Sequence, residues 1–403
     1  MHNPKGAWRM CAAATLMLFC ILGLAANSFS VLMPYLMQQC GLSDSQNSSL
    51  VLVRSLFSFG SLFLAGKYYK LLDIRLGGAI AALLGSCGMV VYGFASQTIH
   101  LYIAAAVSGL SFALGGMYMA SILLHRWFRV HGSVAMGICA ASSGAGTIVG
   151  APVLTALVEN VSLSAALFAL AGAIAACALL FFAVIRNNPP DWQPVPQKPA
   201  EKRVRGSFRF QWMYVAVILI AVPASTVFGY LSVHFKSLGL SAYEVSMLIS
   251  VVGTALMAGK FIFGESVDHL GAYRTNWLFF PLSALGCALC CIPGSFAISF
   301  VAMILYGLGI AYGTVGLTVY ATDLSDPEEF PDTMRRYELS LKLGCLLFSA
   351  VPGILADWIG NYVPSYMLAT IFSLLAMIIL QLSYRSRKAL LRSRETGGYV
   401  NNS

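Results

Sequence analysis

Residues 244–274 read EVSMLISVVGTALMAGKFIFGESVDHLGAYR. From Val245 to Gly264 a single side chain, Lys260, carries charge, and the run is about twenty residues long, enough to cross a bilayer core. At Gly264 the composition turns polar: Glu265, Asp268, His269 and Arg274 follow, punctuated by Gly271. The stretch is a membrane span leading into a tight loop, with one cation left inside it. Apolar runs of this kind recur from Cys11 to Leu382. Of 403 residues, 58% are hydrophobic and 10% charged, against about 25% charged in soluble domains, and mean hydropathy is +0.76. A cytosolic enzyme and a nucleic-acid binder are both excluded. The chain is a polytopic, all-α membrane protein.

Breaks in the runs predict twelve spans, near 10–37, 47–66, 77–94, 100–124, 133–157, 162–185, 213–235, 244–264, 276–293, 296–321, 337–356 and 364–384. Lys5 and Arg9 before the first run, and Ala25-Ala26-Asn27 within it, resemble a signal peptide. The apolar pattern continues to Met37, too long for a signal segment, so this span is expected to be retained. With both termini cytoplasmic, all but four of the 25 Lys and Arg residues fall in cytoplasmic segments, as the positive-inside rule requires. Lys236 lies in an outer loop, and Arg54, Lys260 and Lys342 lie within spans. All but Cys40 of the ten cysteines sit in apolar segments or at their ends, so no disulfide framework is expected. Cys287, Cys290 and Cys291 read as small apolar filler rather than a metal site.

Between Asn187 and Arg209 stand five prolines and most of the central basic residues, the composition of a hydrated linker. It divides a first half, 1–186, from a second, 213–385; the linker is 187–212 and a basic, lipid-facing cytoplasmic tail is 386–403. The halves repeat. At an offset of 198, Gly41-Leu42-Ser43 returns as Gly239-Leu240-Ser241, Gly66 as Gly264, Gly109-Leu110 as Gly307-Leu308 and Gly115 as Gly313. Beyond the longer loop at 323–336 the offset becomes 207, and Gly137 and Gly146 return as Gly344 and Gly353. Two parallel six-helix repeats point to alternating-access transport, with the site near the midplane between them.

The stretch Gly264-Glu-Ser-Val-Asp268-His-Leu-Gly271-Ala-Tyr-Arg274 resembles the G-x-x-x-D-x-x-G-x-x-R loop of the major facilitator superfamily. That resemblance implies a close helix approach at Gly264, a sharp turn at Gly271 and a charge latch at Asp268, with Arg274 completing the motif. The first-half copy, from Gly66 to Arg75, departs from it, with Lys70 in the Asp position. Gly144-Ala-Gly146 and Gly150-Ala-Pro152 are similar to the superfamily's close-packing element, and equally to generic small-residue packing. Gly115-Gly-Met-Tyr118, His125-Arg-Trp127-Phe128 and Gly132-Ser-Val-Ala-Met-Gly137-Ile resemble the oxalate/formate antiporter and monocarboxylate transporter-like branch, with His131 in an Arg position. The branch implies a cation in the eighth span and another in the eleventh, places that Lys260 and Lys342 fill, and a cavity-facing Tyr118. Lys260 replaces the usual Arg with a point charge. Leu256 stands where proton-coupled relatives carry Asp, which argues against their coupling mechanism.

The two lysines stand out without any resemblance. A charge at mid-span costs about 2.5–3.5 kcal/mol on insertion scales. By these boundaries no Asp or Glu lies deep in a span: Glu244, Glu265, Glu338 and Asp357 fall near the ends. An anion is therefore the natural complement of the interior. Lys260 is eight residues from Asp268 and Lys342 six from Arg336, about 12 and 9 Å of helix, so both reach one layer. Competing readings are an ion pair of Lys342 with Glu338 one turn away, and snorkelling. Tyr118, Asn27 and Tyr312 are expected to add hydrogen bonds or aromatic walls to the substrate site, and Arg54 to gate or steer at the outer side.

The expectation is a twelve-helix carrier in two pseudo-symmetric halves, monomeric in the cell membrane, without cofactor or metal, moving small organic anions (mono- or dicarboxylates) by exchange. Two alternatives stay open: a carrier of neutral or amphipathic, drug-like solutes with structural lysines, and a proton-coupled monocarboxylate symporter. No nucleophile–base pair or phosphate loop supports an enzyme.

Overall fold

The structure, a computed structural model, describes residues 4–128, 132–189, 212–292, 295–324 and 330–397. The linker's 190–211 and His131 lie outside them. The described residues form helices and no strand. Six membrane helices come first: α1 (Ala7–Val31), α2 (Asp44–Leu71), α3 (Asp73–Gly93), α4 (Thr98–Trp127), α5 (Val134–Asn160) and α6 (Leu163–Val184). Six follow: α7 (Trp212–Ser237), α8 (Ala242–Leu270), α9 (Ala272–Leu289), α10 (Phe296–Leu324), α11 (Thr333–Ile359) and α12 (Val363–Ser386). All but α9 are long and apolar enough to cross a membrane; α9 packs on α8, α10 and α12 as α3 packs on α2, α4 and α6.

The repeat is written into the backbone. Gly41 and Gly239 take left-handed turns (φ 61° and 87°), and the serines two residues later open α2 and α8 with matching capping boxes. Ser43 Oγ accepts from Gln46 N at 3.2 Å, and Ser241 Oγ from Glu244 N at 3.3 Å, satisfying donors that a helix start leaves free. Helices α1 and α7 each contain a π-helical stretch, Phe19–Asn27 and Val222–Val227. Helices α4 and α10 both break, after Leu114 and at Gly313, where the next turn starts afresh. Gly271 holds φ 77° at the turn after α8, and Asp73, its first-half counterpart, holds φ 58°.

Close approaches repeat as well. A Cβ on Gly109 would collide with the Arg54 carbonyl, and one on Gly307 would lie 2.8 Å from the Val252 carbonyl, the matching position. Gly307→Val should therefore overpack the α8–α10 contact and cost about 1–3 kcal/mol. The check is a drop of several degrees in the melting temperature of the detergent-solubilised protein.

Two expectations need correction. The close approach foreseen at Gly264 is absent, with nothing within 4 Å of a Cβ built there; Gly259, Gly307 and Gly253 make the tight contacts of α8 instead. The carboxylate-free interior is also too simple. The helix containing α11 begins at Phe330, eight residues before Glu338, because the charged run from Asp332 to Arg336 forms its first turns rather than a loop. Glu338 is thus a half-buried carboxylate well inside the helix.

Candidate functional site between the two halves

The halves meet along two seams. In the first, α5 faces α8. Tyr243 Oη accepts from Asn160 Nδ2 at 3.3 Å, Ser250 Oγ donates to the Ile148 carbonyl at 3.2 Å, and Gly144 lies against the Gly253 carbonyl. Small residues let the two backbones approach here, so side chains further along reach across. Lys260 does so: its Nζ donates to the Ala140 carbonyl at 3.1 Å and to Ser143 Oγ at 3.4 Å. The residue is only 9% exposed. Its described partners are neutral oxygens, with no carboxylate among them.

Behind this contact a polar chain runs through α5. Ser143 Oγ donates to the Ala140 carbonyl at 2.9 Å, Thr147 Oγ1 donates to the Ser143 carbonyl at 2.8 Å, and Asn27 Nδ2 donates to Thr147 Oγ1 at 3.1 Å. Asn27 closes the π-helical stretch of α1, whose Gly23 packs against Gly146. Irregular turns of this kind release side chains and backbone groups from the regular ladder and often mark functional positions.

Lys342 comes from α11. It is half-buried, with no hydrogen bond or ion pair among the described residues. Glu338, one turn away, is within electrostatic reach but not in ion-pair contact. Tyr118 of α4 also lies within electrostatic reach of Glu338, so this group too is assembled across the halves. Lys260 stands ten residues from Leu270 and Lys342 twelve from Phe330, about 15 and 18 Å along their helices.

Other expected residues lie elsewhere. Tyr312 is turned into the second half, stacked on Phe280 at 3.7 Å and hydrogen-bonded to Ser373 at 2.9 Å and Ser283 at 3.3 Å; it is not brought together with the lysines. Arg54 lies over the Phe112 ring at 5.6 Å, within electrostatic reach of Tyr92 and Tyr230, with no ion pair among the described residues. Asp268 and Arg274 are exposed, and Asp268 makes no ion pair among the described residues; Gly271 supplies the turn between them.

The second seam joins the halves at the face opposite the termini, and none of the candidate site residues takes part in its hydrogen bonds. Tyr362 Oη donates to Asp44 Oδ1 at 2.6 Å, the Ser45 amide donates to Asp357 Oδ2 at 3.0 Å, and Tyr230 Oη lies 2.7 Å from Ser48 Oγ and 2.8 Å from the Ser349 carbonyl. Gly353 fits directly against Ser48 and the Asp44 carbonyl. On the same face Tyr35 Oη donates to Glu159, and Lys236 Nζ sits 3.7 Å from the centre of the Tyr35 ring.

Two six-helix repeats, held together at one face and joined elsewhere by a buried lysine, define a membrane carrier. The chain belongs to the Major Facilitator Superfamily, whose family profile matches residues 15–329 and, again, 237–398. It is 26% identical over 366 residues to monocarboxylate transporter 12 of Rattus norvegicus, covering 79% of this chain and 74% of that one. Monocarboxylate transporter 13 of Bos taurus is 26% identical over 312 residues (75% and 70%). The agnestins efflux protein AgnL12 of Paecilomyces divaricatus is 24% identical over 382 (90% and 83%). Among solved structures, a D-xylose–proton symporter superposes with a TM-score of 0.75 at 15% identity, covering 93% of this chain and 97% of that one. A bacterial homologue of the lysosomal transporter Spinster, inward-facing and unoccupied, gives 0.72 at 14%, covering 95% and 98%. These structures establish the fold. The protein is a superfamily transporter related to the monocarboxylate transporters.

Proposed function

We propose that this transporter carries small organic anions, mono- or dicarboxylates, across the cell membrane by alternating access, with both termini cytoplasmic and the chain acting as a monomer. The observation that carries the reading is Lys260: an ammonium buried at the seam between the halves and held by neutral oxygens alone. A carboxylate is a stronger acceptor than either oxygen, since charge-assisted hydrogen bonds are roughly twice as strong as neutral ones. Lys342 supplies a second positive charge, and the first half adds Tyr118, within electrostatic reach of Glu338, and Asn27, linked through Thr147 to Ser143. The relatives named as monocarboxylate transporters support the same substrate class.

Exchange is the mode favoured. Leu256 puts an alkyl side chain one turn before Lys260, so no carboxylate on α8 is placed to pass a proton to that site. The test uses proteoliposomes loaded with unlabelled carboxylate and given labelled formate, lactate, oxalate or succinate, with and without a pH gradient. Uptake that requires internal anion is the expected result. Uptake driven by the pH gradient into empty vesicles would overturn exchange, and no movement of any carboxylate would overturn the anion assignment.

A further inference from the structure

Ser143 stands one turn beyond Ala140 on α5, and three groups converge there. The Ser143 hydroxyl donates to the Ala140 carbonyl at 2.9 Å, and Lys260 Nζ donates to that same carbonyl at 3.1 Å and to Ser143 Oγ at 3.4 Å. An ammonium has three protons, and these are its two acceptors among the described residues. The Ser143 proton is spent on a carbonyl that already faces its own helical amide, a back-bond that a helix does not need. Both donors are therefore held in weak, replaceable contacts at one point on the seam, one from each half of the protein.

We propose that Ser143 is a substrate-positioning residue: the carboxylate that Lys260 attracts is clasped between Lys260 Nζ on α8 and the Ser143 hydroxyl on α5. The inference rests on the carboxylate reading above and adds the first-half contact that reading lacks. On binding, one carboxylate oxygen takes the place of the Ala140 carbonyl as the acceptor for Nζ. The hydroxyl rotates about its Cα–Cβ bond, and its proton moves from the Ala140 carbonyl to a carboxylate oxygen. No covalent bond changes and no proton changes owner. Ala140 keeps its helical hydrogen bond, so nothing buried is left without a partner. Before binding, Lys260 itself ties α5 to α8; afterwards the substrate does, through one donor on each side. Occupancy is thus sensed at the interface between the halves. Ser142, whose hydroxyl donates to the Cys139 carbonyl at 2.6 Å, does not share this role, because among the described residues Lys260 hydrogen-bonds to Ala140 and Ser143 and not to it.

The test compares wild type, Ser143→Ala, Ser143→Thr and Ser142→Ala in carboxylate counterflow. Loss of one hydrogen bond to a charged ligand should raise KM about tenfold or more in Ser143→Ala, with the maximal rate little changed. Ser143→Thr, which keeps the hydroxyl, should restore KM, and Ser142→Ala should behave as wild type. Site-resolved alkylation of Ser143→Cys should slow when oxalate or lactate is added, a protection that a merely structural serine would not show. An unchanged KM in Ser143→Ala while wild type exchanges carboxylate would overturn the role of Ser143 and leave the Lys260 reading standing. Alkylation indifferent to carboxylate would do the same. Absence of carboxylate exchange in wild type would overturn both.

Discussion

Lys260→Gln is expected to lower carboxylate counterflow by at least about a hundredfold while leaving the protein as stable as wild type or more so. The two halves of that result come from one fact. Lys260 is a buried ammonium whose acceptors, Ala140 O and Ser143 Oγ, are neutral. Removing it takes away a charge that the membrane interior disfavours, and both acceptors keep their other hydrogen bonds, the Ala140 carbonyl from Ser143 Oγ. Stability therefore holds or rises. Function moves the other way, because hydrogen bonds to a charged partner contribute about 1.5–3 kcal/mol each and the Coulomb attraction of the ammonium goes with them. About 2.8 kcal/mol corresponds to a hundredfold. Lys260→Arg keeps the charge but replaces a compact head with a planar fork beside the Gly144–Gly253 contact, so partial activity is expected. Lys342→Gln should cost less, since Glu338 already offsets part of that charge. The measurement is initial counterflow rate in proteoliposomes at matched protein, beside the melting temperature in detergent. Wild-type counterflow in Lys260→Gln would mean that the lysine is structural and that the carboxylate is held by other groups.

Much of the architecture was legible because it depends on quantities a single sequence carries. Span number follows from apolar length, and the repeat follows from Gly109 and Gly307, where a facing backbone carbonyl leaves no room for a side chain, together with Gly115 and Gly313. The π-helical stretches in α1 and α7 were not legible, since Phe19–Asn27 and Val222–Val227 carry no pattern that distinguishes them from ordinary helix. The two lysines stand out in the sequence because a charge inside an apolar run is rare. Their partners do not. Ala140 contributes a backbone carbonyl, which every residue has, and Ser143 sits in a small-residue run that reads as packing. Tyr312 was misplaced for the converse reason: a tyrosine in a span is equally at home on a cavity wall or, as here, between Phe280 and Ser373 inside one half. Which face of a helix meets the other half is a tertiary property, and an amphipathic pattern is weak when lipid and interior are both apolar.

Gly353→Leu is expected to abolish transport by holding the second seam open. A Cβ on Gly353 would collide with Ser48 Oγ and with the Asp44 carbonyl. A hydroxyl can rotate away, but a backbone carbonyl cannot, and Asp44 is fixed at the start of α2 by the Ser43 capping box. Relief requires α11 to move off α2. That movement breaks the contact of Tyr362 with Asp44 at 2.6 Å, of the Ser45 amide with Asp357 at 3.0 Å, and of Tyr230 with Ser48 at 2.7 Å. The Asp357 contact joins a carboxylate to the first turn of α2, where the helix dipole favours negative charge, so its loss weakens the closed form further. A carrier alternates only if each face closes in turn, and every one of these contacts joins the first half to the second. To shift a closed-to-open ratio from 99:1 to 1:99 takes about 5.5 kcal/mol, and a leucine forced into a backbone contact, together with three lost hydrogen bonds, is of that order. The reporter is Ser48→Cys, which in the closed form is shielded by Tyr230 and Gly353. Its site-resolved alkylation should accelerate strongly in the Gly353→Leu background, while counterflow falls by two orders of magnitude and carboxylate still protects Ser143→Cys. Unchanged alkylation with normal transport would show that this seam is not a closing surface. Fast alkylation with normal transport would show that it opens without limiting the cycle.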